Sequence, residues 1–225
     1  MNSDIAKPDY DACAALAAEV LIRCGITHTP VHPEEIIPLC PNTKLISYKE
    51  LAQFNRMSRD ALMERLANFD DALLMCRNLP SGKHLWIIAY NQQKPFDRIR
   101  FSLAHELGHR LREHIGFRED WVREEEADHF ARHLLFPRAM LAECYSRGMP
   151  SIDSNYYNIT KCTEECLRRI QSAKPSVVDP EINRELRKRM TPHVSAMYNS
   201  GAIWAVPDKH SQLVSLETYM TGYRE

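Results

Sequence analysis

With 225 residues, 44% of them hydrophobic, the chain is long enough to bury one sizeable core and needs no obligate partner to fold. Its 29 basic and 30 acidic residues leave a formal charge of -1, which excludes a global electrostatic drive toward nucleic acid or an anionic membrane. No apolar run reaches the roughly 18 residues of a membrane span. Acids at Asp4, Asp9 and Asp11 stand where a signal peptide needs a basic head, so a cytoplasmic protein without membrane contact is expected.

Residues 8 to 24 read as an amphipathic helix, with Ala14, Leu16, Ala17, Val20, Leu21 and Cys24 at apolar spacing and Gly25 as its stop. After THTPVHPEEIIPL comes a polar helical stretch, SYKELAQFN, and then SRDALMERLANF, where Ser58 caps and Leu62, Leu66 and Phe69 recur at helical spacing. ALLMC and HLWIIAYN flank the turn-rich RNLPSGK and predict a β-hairpin reversed at Pro80 and Gly82. A helix over 100–114 follows, then GFREDWV as a connection and a helix over 123–136 ended by Pro137. RAMLAECYSRG continues helically to Gly148, and YYNITKCTEECLRRI reads as a short helical hairpin. The last 50 residues, with Pro175, Pro180, Pro192 and Pro207, read as a loosely packed appendage. The seven cysteines (Cys13, Cys24, Cys40, Cys76, Cys144, Cys162, Cys166) are scattered without CxxC spacing, the pattern of reduced thiols in a reducing compartment. Cys162 and Cys166 lack the second pair that a zinc finger requires.

FSLAHELGHRLREH, residues 101–114, carries the chemistry. On a helix residues i and i+4 share a face, so His105 and His109 can direct imidazole nitrogens at one ion. Glu106, on the neighbouring face, can reach a water in an open coordination position and suits a general base. Gly108 leaves room for another chain beside the site. H-E-x-x-H alone also arises by chance on solvated helices, so the third ligand decides. In REEEADHFARHLLFP, Glu124 and Asp128 lie four apart at the margin of a core-facing stripe, Ala127, Phe130, Ala131, Leu134 and Leu135. Glu124 is the expected third ligand, and Asp128 the acceptor for the far nitrogen of a ligating histidine. Glu125 and Glu126 read as acids favourable to a helix start. The longer H-E-x-x-H-x-x-G-x-x-H pattern is excluded by Arg112 and Ile115, which leaves His114 out of register. His129 and His133 read as flanking or exposed, with His129 a weak candidate for stabilising an oxyanion beside Tyr156 and Tyr157.

DRIRFSLAHELGHRLREH and EEEADHFARHLLFP resemble the ImmA/IrrE family of metallopeptidases, specifically over residues 97–140 and more weakly over about 10–172. The resemblance implies an α+β fold with a zincin-like core, mostly helical, and a small antiparallel β-sheet before the H-E-x-x-H helix. The expected domains are a metallopeptidase core over 8–148, a helix-turn-helix-like hairpin over 149–175 and a C-terminal extension over 176–225. The resemblance further implies one Zn2+ per chain held by His105, His109 and Glu124, with Glu106 as catalytic base. Arg110 and Arg112 depart from the apolar residues many relatives carry, so the face behind the helix is expected to be exposed or to meet an acidic partner.

The expected activity is zinc-dependent endopeptidase cleavage of a regulatory protein. By resemblance that protein is a helix-turn-helix repressor, often encoded on a mobile element, whose cleavage relieves repression under stress. The alternative is a zinc-stabilised anti-repressor that acts by complex formation alone, although a structural site needs no base such as Glu106. Direct binding to nucleic acid is not expected, since only Lys161, Arg168 and Arg169 give the hairpin positive charge.

Overall fold

A computed structural model describes residues 7–66, 69, 71–114, 120–148, 160 and 176–201. The chain enters through α1 (Tyr10–Arg23), whose first turn is capped by the Asp9 side chain accepting from the Ala12 N–H at 3.0 Å. Gly25, at φ +70°, ends that helix as expected. A short α2 (Pro33–Ile36) and a 3-10 turn lead to β1 (Thr43–Ser47), α3 (Tyr48–Phe54) and α4 (Arg59–Arg65). Ser47 and Glu50 close a reciprocal capping box on α3, and Ser58 caps α4 through the Ala61 N–H. The hairpin follows as β2 (Ala72–Asn78) and β3 (His84–Tyr90), with Gly82 at φ +74° in its turn. Then come α5 (Phe96–Leu111), α6 (Asp120–Leu135), α7 (Arg138–Ser146) and α8 (Pro180–Asn199). No helix among the described residues is long and apolar enough to cross a membrane.

The fold is mixed α+β, but its sheet is not purely antiparallel. Its order is β1-β3-β2: β2 pairs antiparallel with β3, Leu74 opposite Ile88, while β1 lies parallel to β3, Leu45 opposite Ile88. The parallel pair follows from connection length, since the chain passes through α3, α4 and β2 before β3 returns beside β1. Five residues, TKLIS, are too short to announce a strand by alternation, and the capping box directly after them reads as helix. Alternation along the sheet separates two cores. Ile88 faces the main cluster with Leu103 and Leu107 of α5 and Phe130 and Leu134 of α6; Leu73 and Ala89 face a second cluster with Tyr48, Leu51 and Leu62 of α3 and α4.

Residues 176–201 are no appendage. Asp179 caps α8 by accepting from the Glu181 and Ile182 N–H groups, and Pro180 sits in its first turn, where a missing N–H costs nothing. Val178, Leu186, Met190 and Val194 join the main cluster, and α8 packs on α7 and α1. Glu143 of α7 binds Arg147 and Arg187, and Arg189 donates to the Ile22 carbonyl of α1. Prolines placed at a helix start and inside a helix therefore mimicked a loop in the sequence. The hairpin expected over 149–175 lies outside the described residues except for Thr160.

His129 and His133 are buried rather than exposed, because α1 packs across their face of α6 and Ser176 closes over it. The His129 ring sits 4.8 Å from that of Tyr10, its Nε2 is 2.6 Å from Ser176 Oγ, and the His133 ring lies 4.6 Å away. Burial, then the positive charge of Arg132 and Arg138, lowers His129 to about 4; burial, His129 and the same arginines lower His133 to about 3. Both folded values lie below the ordinary 6.5, so between there and about pH 3 to 4 the unfolded chain binds protons that the folded chain refuses. Stability therefore falls as pH falls through that window, by up to about 1.4 kcal/mol per pH unit for each unmatched proton. Denaturation midpoints measured from pH 7 to pH 5 should drop for the wild type and drop less steeply for His133→Leu; equal slopes would contradict this assignment.

Candidate metal centre

The inward face of α5 packs Leu103, Ala104 and Leu107 into the core, and this fixes the rotation of the helix so that His105 and His109 leave from the opposite side. Gly108 lets α6 come close. A Cβ there would meet Ala127 Cα at 3.1 Å and the Phe130 ring at 3.0 Å. The room expected beside the site is thus filled by the backbone of α6. Arg110 pins the outer side of α5 to the sheet, donating to Thr43 Oγ1 and the Pro41 carbonyl and stacking 4.8 Å over the Trp86 ring.

With the helices so close, Glu124 reaches both histidines: Oε2 is 3.2 Å from His105 Nε2 and Oε1 is 3.4 Å from His109 Nε2. The two Nε2 atoms are 2.9 Å apart, and one donor atom from each of the three residues lies within 4.8 Å of the others. Zinc bonds of about 2.0–2.1 Å in a tetrahedron put neighbouring donors about 3.3 Å apart. The set therefore fits a zinc ion of two imidazoles and one carboxylate. His105 and His109 draw Glu124 well below the usual carboxylate range by hydrogen bonding. At His105 burial opposes positive charge but is outweighed by hydrogen bonds to Asp128 and Glu124 and by the charge of Glu106, which hold it up at about 10. That is the negative field a divalent cation meets here.

The far nitrogens are fixed by different devices. His105 Nδ1 lies 2.8 Å from Asp128 Oδ1, as the sequence reading expected, and Arg132 steadies the other oxygen of Asp128 at 3.1 Å. His109 is held by a relay that the sequence reading missed. Its Nδ1 is 2.8 Å from His114 Nδ1, and His114 Nε2 is 2.9 Å from Glu126 Oε2. Because the Glu126 carboxylate only accepts, His114 donates from Nε2 and accepts at Nδ1, so His109 donates from Nδ1 and keeps its Nε2 lone pair for the ion. Burial, against the hydrogen bond to Glu126, lowers His114 to about 4, which keeps it neutral as this relay requires. Glu126 is fully buried, so its reading as an ordinary acid at a helix start is overturned. It accepts from the Asp9 N–H at 2.9 Å and pairs with Arg112 at 3.1 Å. The acidic partner expected for the arginine face thus comes, for Arg112, from the chain itself.

Glu106 lines a cleft of about 720 Å³ together with His105, His109 and Glu124, walled by Phe69, Leu74, Arg98 and Phe101. Burial raises its carboxyl above the ordinary range; the positive charge of His105 and His109 and a backbone hydrogen bond from Leu74 act the other way. A carboxylate whose pKa is raised is better suited to take up and return a proton than an ordinary surface acid. Among the described residues β2, which carries Leu74, pairs on one side only, with β3, and so forms an edge strand along the cleft. His129 lies elsewhere, against Tyr10 and Ser176, and does not line the cleft; Tyr156 and Tyr157 lie outside the described residues.

An H-E-x-x-H helix meeting a carboxylate on a second helix, with an edge strand beside the cleft, is an arrangement of the metallopeptidase class. Residues 62–165 match the family model of the IrrE N-terminal-like domain, peptidase M78, a match that supports an ImmA/IrrE-type peptidase over this segment. The match runs from α4 through α7 and beyond, leaving α1, β1 and α8, which pack around it, outside. No curated protein matches the chain significantly.

The relay has a measurable consequence. His114→Phe removes the acceptor for His109 while leaving all three candidate donors in place, and should weaken zinc retention by about 10- to 100-fold in competition with a chelating dye. An unchanged affinity in a folded variant would remove His114 from the centre.

Proposed function

We propose that the chain is a zinc endopeptidase that cuts an extended segment of a regulatory protein. The observation that carries this reading is the place of Glu106, in the cleft beside the two histidines but outside the set of three donors. A site that only stabilised the fold would need no such base. His105, His109 and Glu124 would hold the zinc, which when bound would supply Lewis acidity toward the scissile carbonyl and a water. Glu106 takes the proton of that water and hands it to the leaving amine, a role that its raised pKa favours. Asp128 and the His114–Glu126 relay hold the two imidazoles in the tautomer that faces the ion.

The free edge of β2 takes the substrate as an added strand, so that backbone hydrogen bonds give affinity and the walls of the cleft give selectivity. Phe69 and Phe101 offer apolar contact there, and Arg98, paired with Asp71 at 2.7 Å, offers charge. The substrate class within this reading is the helix-turn-helix repressor that the resemblance of residues 97–140 implies. Cys24, Cys40 and Cys76 are free thiols, which suits work in the cytoplasm.

Glu106→Gln should keep the zinc content of the wild type and lose about 10²- to 10⁴-fold in turnover, read by mass spectrometry of a proteome-derived peptide library and of a helix-turn-helix repressor. Cleavage by the variant at the wild-type rate would contradict the role of Glu106. Failure of the zinc-loaded wild type to cut either substrate would contradict the peptidase reading.

A further inference from the structure

We propose that His28, His32 and Glu35 form a second divalent-metal site, of the kind that takes zinc, which ties the segment after α1 to α2. One donor atom from each of the three lies within 4.8 Å of the others. His28 Nε2 is 3.4 Å from Glu35 Oε2, near the donor spacing of about 3.3 Å in a tetrahedral zinc site. The His28 and His32 rings lie face to face with centroids 6.1 Å apart. Two imidazoles and a carboxylate are a borderline donor set, which prefers zinc and its transition-metal neighbours to magnesium or calcium.

The surroundings hold these donors in place. His32 is the residue before α2, and the Glu35 N–H donates back to its carbonyl at 3.0 Å, so the two are fixed within one turn. On the other side α8 grips the segment: His193 Nε2 is 2.8 Å from the Thr29 carbonyl oxygen, and the His193 ring stands edge-on to His28 at 6.2 Å. His193 is thereby engaged, so the described residues supply three donors. His28 and Glu35 are 38% and 43% exposed, leaving the fourth position open to water. His32 is buried.

None of these residues lines the cleft, and the donors His28, His32 and Glu35 precede the segment matched by the family, so the site belongs to the N-terminal part of this chain.

The test is zinc stoichiometry by native mass spectrometry on the full chain, stripped with a chelator and titrated with zinc alone. The wild type should bind two ions, the cleft double variant His105→Asn/His109→Asn one, and His28→Gln/Glu35→Gln one while retaining peptidase activity. Zinc should raise the melting temperature of the cleft double variant, and should no longer do so when His28→Gln and Glu35→Gln are added. If the cleft double variant binds no zinc, or the His28/Glu35 variant binds as much as the wild type, the second site is overturned. A wild type that binds one ion, lost in the His28/Glu35 variant, supports the second site and counts against the cleft centre, so the two claims fail separately.

Discussion

Close approach of α5 and α6 at Gly108 is the constraint on which the candidate metal centre depends. Two helices with ordinary side chains between them pack about 8–10 Å apart. Here the missing Cβ lets Ala127 and Phe130 settle against α5, and Glu124, one turn earlier on α6, comes within reach of both histidines. The hydrophobic stripe of α6 points inward at the same time, so burial of Phe130, Ala131, Leu134 and Leu135 sets the rotation of the acidic pair. Packing energy thus organises a polar site that would repel itself if assembled alone, since Glu106, Glu124 and Asp128 converge within one small region.

That convergence is balanced from behind. Each imidazole is held by a partner outside the cleft, Asp128 for His105 and His114 with Glu126 for His109, and each acid is held in turn by an arginine, Arg132 or Arg112. The second chain of contacts extends to the backbone of Asp9 at the start of α1. The helix that opens the sequence is therefore coupled to the histidine at the far end of the motif, although it lies outside the segment that defines the family.

The local parts of this design were legible in the sequence. The i, i+4 spacing of His105 and His109 and the pairing of Glu124 with Asp128 beside an apolar stripe are written in single helices, and the structure brings them together as that spacing requires. The hairpin and most helix ends were legible for the same reason, through Ser58, Gly25, Gly82 and Gly148. What escaped depends on distant segments. Glu126 looked like one acid among three, because its partners Asp9, Arg112 and His114 come from two other parts of the chain. The burial of His129 and His133 depends on α1 covering a second face of α6, and β1 exists only because β3 returns beside it. Arg100, fully buried and donating to the Val31 and Thr160 carbonyls, carries no mark in its own neighbourhood that it belongs in the core.

The central claim is that α5 and α6 together hold one ion in the cleft. Anomalous diffraction at the zinc edge, from crystals of the full chain grown with zinc, tests it most directly. The account predicts a peak about 2.0–2.1 Å from Nε2 of His105, Nε2 of His109 and a carboxylate oxygen of Glu124. Density for an ordered cleft with no peak between these three residues, in crystals that contain zinc, would contradict it.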